Sequence, residues 1–209
     1  MLNIDSYKQQ VDETTKKVLH ILDDPGWVEK EKKTGITFYT RSVAGSSFNQ
    51  IKSVVTIPTT LDKLYEELKK VVPVNDETPK EKRDGFLERC ILSEIDEQTA
   101  FYYIALETSS RFVSPRDFLT IQRVIPNLDE KVILIRTSII DDTIKPEVKG
   151  RVRGNMFFQA YIGEEENGIV KLSFLVHADP CGSVPAMIYN TVATKQGENA
   201  LKIKKALMK

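Results

Sequence analysis

"SSRFVSPRDFLTIQRV", residues 109–124, joins two unlike halves. The first holds Arg111, the Ser114-Pro115 step and the charged pair Arg116-Asp117. From Phe118 onward the residues alternate with the period of a strand. Pro115 pushes Ser114 toward extended backbone and so sets the entry into that strand. A turn, a salt bridge or a catalytic pair would each place arginines and an aspartate at such an entry.

Outward from this strand the chain reads as a meander. Strands are expected near 86–96, 99–108, 116–126, 131–141, 151–163 and 168–178. Their joints are short and turn-rich: Asp96-Glu97, Asn127-Leu128-Asp129, and Glu164 to Gly168. Such joints favour antiparallel hairpins over crossover helices. The connection "DDTIKPEVKG", residues 141–150, is longer. Upstream, "WVEKEK", "ITFYTRSV" and "FNQIKSVVTI" are three further strands, separated by the breaks Thr34-Gly35 and Gly45-Ser46.

Helices flank these runs. Ile4, Tyr7, Val11, Val18 and Leu22 recur at helical spacing, and Asp23-Asp24-Pro25-Gly26 ends that helix. Pro58-Thr59-Thr60 opens "LDKLYEELKKV", with Leu61, Leu64, Tyr65 and Leu68 as its apolar face. Ser183 is a candidate N-cap, and Pro185 suits the first turn of a C-terminal helix. In that helix Val184, Ile188 and Thr191 share a face flanked by Met187 and Val192, and Gly197 weakens its middle.

The order is helix, three strands, helix, six strands, long helix. It predicts an α+β fold with a curved antiparallel sheet of about nine strands. A sheet that large curls or closes. A long helix across its mouth encloses a space of the kind that holds a small apolar molecule.

Composition narrows the function. Thirty basic and thirty acidic residues cancel, so the general basic excess of a nucleic-acid binder is missing. No run approaches the length of a membrane span, since "VILIRTSII" is interrupted by Arg136. The N-terminal residues carry no long apolar run of the secretory type. Cys90 and Cys181 form no CxxC and are expected as free thiols in a reducing compartment. A soluble, cytoplasmic chain is therefore expected.

Catalytic motifs are absent: no GxSxG, P-loop or GxGxxG occurs. The two histidines are His20 and His177. His177 precedes Asp179, which suggests an acid–base pair, but no nucleophile or metal-ligand cluster accompanies it. No metal or other cofactor is expected. The lysines of "KIKKALMK" complement a helix dipole and could also touch anionic headgroups.

Three motifs then converge. "RFVSPRDF" resembles the signature of the START family of lipid-transfer domains. "KGRVRG" at 149–154 resembles the start of a family strand, and "HADPCGSVP" at 177–185 the family's junction into its last helix. The resemblance spans residues 1–209 as a single domain. It implies a helix-grip fold, a curved sheet around a long C-terminal helix enclosing a lipid tunnel, with the connection 141–150 as part of the lid. It also implies non-enzymatic binding and intermembrane transfer of one phospholipid, ceramide or sterol. The partners would be the lipid and, transiently, membrane surfaces, with no nucleic acid and the chain a monomer.

The lipid-binding candidates are Phe101, Tyr103, Glu107, Phe118, Gln122, Met156, Phe158, Phe174, Val184, Met187, Ile188 and Thr191. Alternation groups Phe101, Tyr103, Ala105 and Glu107 on one face, and Phe118, Thr120 and Gln122 on another. It leaves Arg136 on either face. Sterol-carrying relatives place an acid and an arginine on these two strands; the matching positions are Tyr103 and Gln122, a departure from that pattern. Tyr103 with Glu107 would suit a choline-like cation. The alternatives are a helix-grip cyclase or aromatase using His177, Asp179 and Glu107, and a lipid-sensing regulatory module.

Overall fold

A computed structural model describes residues 3–71, 85–108, 113–186, 189–190 and 196–209. Helix α1 spans Ile4–Leu22, started by the Asn3 side chain accepting from the Ser6 N–H at 3.2 Å. Strands β1 (Val28–Lys33), β2 (Ile36–Arg41) and β3 (Gln50–Ile57) follow as an antiparallel meander. Helix α2 is Leu61–Lys69, capped by Thr60 through the Lys63 N–H. The long run comprises β4 (Phe86–Glu94), β5 (Thr99–Leu106), β6 (Arg116–Leu128), β7 (Lys131–Ser138), β8 (Val152–Arg153), β9 (Asn155–Glu166) and β10 (Ile169–Asp179). Helix α3 is Asn199–Leu207.

The ten strands among the described residues form one sheet, in which nine follow the order β1-β2-β3-β10-β9-β7-β6-β5-β4. The last strand pairs with the third, so the N-terminal meander extends the C-terminal one. The expected nine strands are present. The tenth is the two-residue β8, which pairs parallel to the start of β6. Edge strand β1, "VEKEKK", is exposed throughout, and its alternating charges discourage pairing with another chain.

Both faces of the sheet are covered. Val11, Val18, Ile21 and Leu22 of α1 pack on an outer face with Phe101, Leu119, Ile121, Ile133, Ile135 and Leu175. Leu64 and Leu68 of α2, with Ala200 and Ile203 of α3, pack on the inner face with Ile51, Val55, Leu134, Tyr161, Leu172 and Phe174. This is the helix-grip arrangement.

The C-terminal helical segment is interrupted where glycine was expected to weaken it. Gln196 is helical, Gly197 and Glu198 turn, and α3 begins at Asn199. The interruption is used: the Gly197 carbonyl accepts from the buried Ser53 hydroxyl of β3 at 2.8 Å. Earlier, the Tyr189 N–H donates to the Pro185 carbonyl at 3.1 Å, consistent with proline in a first helical turn.

Candidate functional site

The three motifs meet at one corner. Arg116 donates through Nε to the Pro180 carbonyl (3.1 Å), through Nη2 to the Cys181 carbonyl (3.0 Å), and through Nη1 to the Ser114 carbonyl. It therefore ties the start of β6 to the turn that leads toward the C-terminal helix. Asp117, only 1% exposed, accepts from Arg153 Nε at 2.7 Å and from the Tyr103 hydroxyl at 2.6 Å. The Val152 and Gly154 N–H groups donate to the Pro115 and Asp117 carbonyls, which makes β8. Gly154 lies against the Phe118 ring with no room for a Cβ, so close approach requires glycine there. The pair Arg116-Asp117 is thus architectural; Arg111 lies outside the described residues.

Further along the inner face is a different arrangement. Gln122 of β6, Arg136 of β7 and Gln159 of β9 are directly opposite one another in register. Arg136 Nε donates to Gln122 Oε1 at 2.7 Å, and Nη1 donates to Gln159 Oε1 at 2.6 Å. Its guanidinium lies 4.4 Å from the centre of the Tyr102 ring. The same cross-strand row continues into Val176 and Ile51, both apolar and buried. Around it lie Val124, Leu134, Tyr161 and Phe174. Burial pushes the Tyr161 phenol up to about 12, with the positive charge of Arg136 pulling the other way. The result is an apolar face with one short polar strip at its middle.

The expected site residues divide between the two faces. Phe118, Gln122, Met156 and Phe174 are on the inner face, with Val184 half-buried against the same cluster. Phe101 and Phe158 are in the outer cluster beneath α1. Tyr103 shares the outer face and spends its hydroxyl on Asp117 and Arg151; burial, reinforced by the bond to Asp117, raises its pKa far above the ordinary phenol range. Glu107 lies beyond the end of β5 and is exposed. Met187, Ile188 and Thr191 lie outside the described residues.

These departures have physical causes. Both faces of β5, β6 and β7 are buried, so alternation gives two sets without saying which faces inward. In β9 a bulge intervenes: Met156 pairs with Ala178 and Phe158 with His177, leaving Phe157 as the extra residue. It turns Met156 and Phe158 to opposite faces although they are two residues apart. The inward residues of β5 are Tyr102, Ile104 and Leu106. Arg136, in the middle of an apolar strand, was the sequence signal for the polar strip; Tyr102, Gln159 and Tyr161 carried none.

The connection 141–150 packs on the outer side: Asp141 accepts from the Tyr7 hydroxyl at 2.6 Å, Ile144 packs against the α1 cluster, and Lys145 pairs with Glu88 at 3.1 Å. His177 engages the Phe48 carbonyl (3.1 Å) through Nε2 and lies beside the Phe157 ring, not in a pair with Asp179. Asp179 instead accepts from the Cys181 N–H. Cys90 and Cys181 are free thiols. Among the described residues no helix is long and apolar enough to cross a membrane.

The START domain profile matches residues 8–209. The chain belongs to the START domain family. Human StAR-related lipid transfer protein 5 is structurally similar, with TM-score 0.80 and 18% identity over 98% of this chain and 97% of that one. Human STARD10 superposes with TM-score 0.76 and 17% identity over 94% and 79% of the two chains. A STAR-related lipid transfer protein from Xanthomonas axonopodis gives TM-score 0.70 and 19% identity over 88% and 99%. No curated protein matches the sequence. The START resemblance of the three motifs is thus matched by a START fold, in which those motifs build the corner and the face between β5 and β10 presents the polar strip.

Proposed function

We propose that residues 1–209 act as one lipid-binding unit, a cytoplasmic monomer that holds a single lipid against the inner face and carries it between membranes without chemical change. The observation that carries this reading is the inner face itself: a broad buried apolar surface gripped by α2 and α3, interrupted by one polar strip that can orient a headgroup. Extracting a lipid from a bilayer alone exposes several hundred Å² of apolar surface, a cost on the order of 10 kcal/mol at about 25 cal/mol per Å². A protein surface that receives the chains offsets most of it. The proposed lining comprises Tyr102, Phe118, Gln122, Met156, Tyr161 and Phe174, completed by Val184 and the expected Met187, Ile188 and Thr191.

The enzymatic alternative has weaker support. Its candidate base, His177, is bonded to a backbone carbonyl at the rim of the outer face. Glu107 is exposed, and Asp179 is used in the turn after β10. The test is native mass spectrometry of the purified protein, followed by transfer of acyl-chain-labelled lipids between donor and acceptor vesicles. A co-purifying lipid and protein-dependent transfer are expected. Failure to hold or move any sterol, phospholipid or ceramide would sink the proposal.

A further inference from the structure

Three charged side chains are buried among the described residues: Arg116, Asp117 and Arg136. Asp117 is paired with Arg153, and Arg116 places all three guanidinium nitrogens on backbone carbonyls. Arg136 differs. It is 4% exposed, its two hydrogen-bond acceptors among the described residues are neutral amide oxygens, and Nη2 has no hydrogen-bond partner among them. A buried cation is normally paired with a carboxylate, because its lost hydration is otherwise uncompensated.

The surroundings hold the guanidinium in place. Gln122 and Gln159 grip it from the two neighbouring strands, and the Tyr102 face lies against it. Both glutamines direct their carbonyl oxygens toward it. The fork is thereby oriented before any ligand arrives, with one N–H edge left over on the face that α2 and α3 cover. A planar guanidinium with a free edge is the side chain best suited to phosphate or carboxylate oxygens in a low-dielectric setting.

We propose that Arg136 is the headgroup anchor of this protein and that its ligand carries a net negative charge, on a phosphate or a carboxylate. This rests on the lipid-carrier reading and gives it a ligand class. A neutral lipid leaves the buried charge uncompensated. A zwitterionic one brings a cation for which the strip provides no carboxylate.

The test is a competition. The full chain is incubated with vesicles holding equal amounts of phosphatidic acid, a long-chain fatty acid, phosphatidylcholine and ceramide. It is then separated by centrifugation, and its bound lipid is identified by native mass spectrometry. One of the two anionic lipids should be bound over phosphatidylcholine and ceramide by about tenfold or more. Which of them wins distinguishes phosphate from carboxylate. Arg136→Gln should abolish that preference while thermal unfolding confirms a folded chain, and Arg136→Lys should keep part of it. If Arg136→Gln does not fold, the wild-type preference and the lysine variant decide. Equal loading of neutral and anionic lipids, or a preference that survives Arg136→Gln, overturns this inference and leaves lipid carriage standing. Loading of none of the four overturns both.

Discussion

Asp117 and Tyr103 share a hydrogen bond of 2.6 Å inside the protein, and the same carboxylate receives Arg153 at 2.7 Å. The bond links β6 to β5, and the ion pair links β6 to β8. Through Arg116, the neighbouring residue, this corner also holds the turn toward the C-terminal helix. The START signature is therefore a structural clamp placed next to the proposed lipid-binding face.

Removing the clamp should cost stability. Asp117→Ala leaves Arg153 without its carboxylate and should destabilise by about 3–5 kcal/mol. Tyr103→Phe removes the bond donated to the Asp117 carboxylate and the one accepted from Arg151, and should cost about 1.5–3 kcal/mol. Urea unfolding of both variants checks the order; equal, negligible losses would show that the corner is not structural.

The two adjacent tyrosines of β5 should separate stability from binding. Tyr102 is on the inner face beside Arg136, and Tyr103 is on the outer face. Tyr102→Ala should weaken lipid loading by about tenfold, the scale of one lost cation–π and packing contact in a desolvated site. Tyr103→Phe should leave loading of the folded fraction unchanged. Equilibrium binding of an acyl-chain-labelled lipid decides, and the reverse result would invert the assignment of faces.

Gly163 in β9 lies against Leu64 of α2. A Cβ there would overlap the Leu64 Cδ2 atom, and Leu64 is fully buried. Gly163→Val should cost about 1–3 kcal/mol by overpacking. Combining it with Leu64→Ala should recover part of the loss, a non-additivity that a double-mutant cycle measures. Strict additivity would mean that α2 is not held by this contact.

Burial lowers the pKa of His177 below its ordinary value. The unfolded chain, with a histidine pKa of about 6.5, therefore binds a proton before the folded one does, and stability falls as pH drops below about 6.5. His177→Gln should flatten unfolding free energy between about pH 7 and pH 5 relative to wild type. An unchanged slope would assign the dependence elsewhere.

Much of this protein was legible in its sequence. Helical spacing from Ile4 to Leu22, short turns between alternating runs, and glycine at 197 specified α1, the meander and the break before α3, because each depends on local backbone preference. The motifs around Arg116, Gly154 and Pro180 pointed to the family, because such corners need particular residues. What only the tertiary structure decided was facing. With α1 on one side and α2 and α3 on the other, the central strands are apolar on both faces, and a period of two then carries no direction. One bulge at Phe157 reversed the phase of β9 again. Cross-strand register, which depends on all the strands together, set Gln122, Arg136 and Gln159 in a single row from positions far apart in the chain. That row, with its buried and partly unpartnered arginine, is the feature on which recognition of the ligand is proposed to rest.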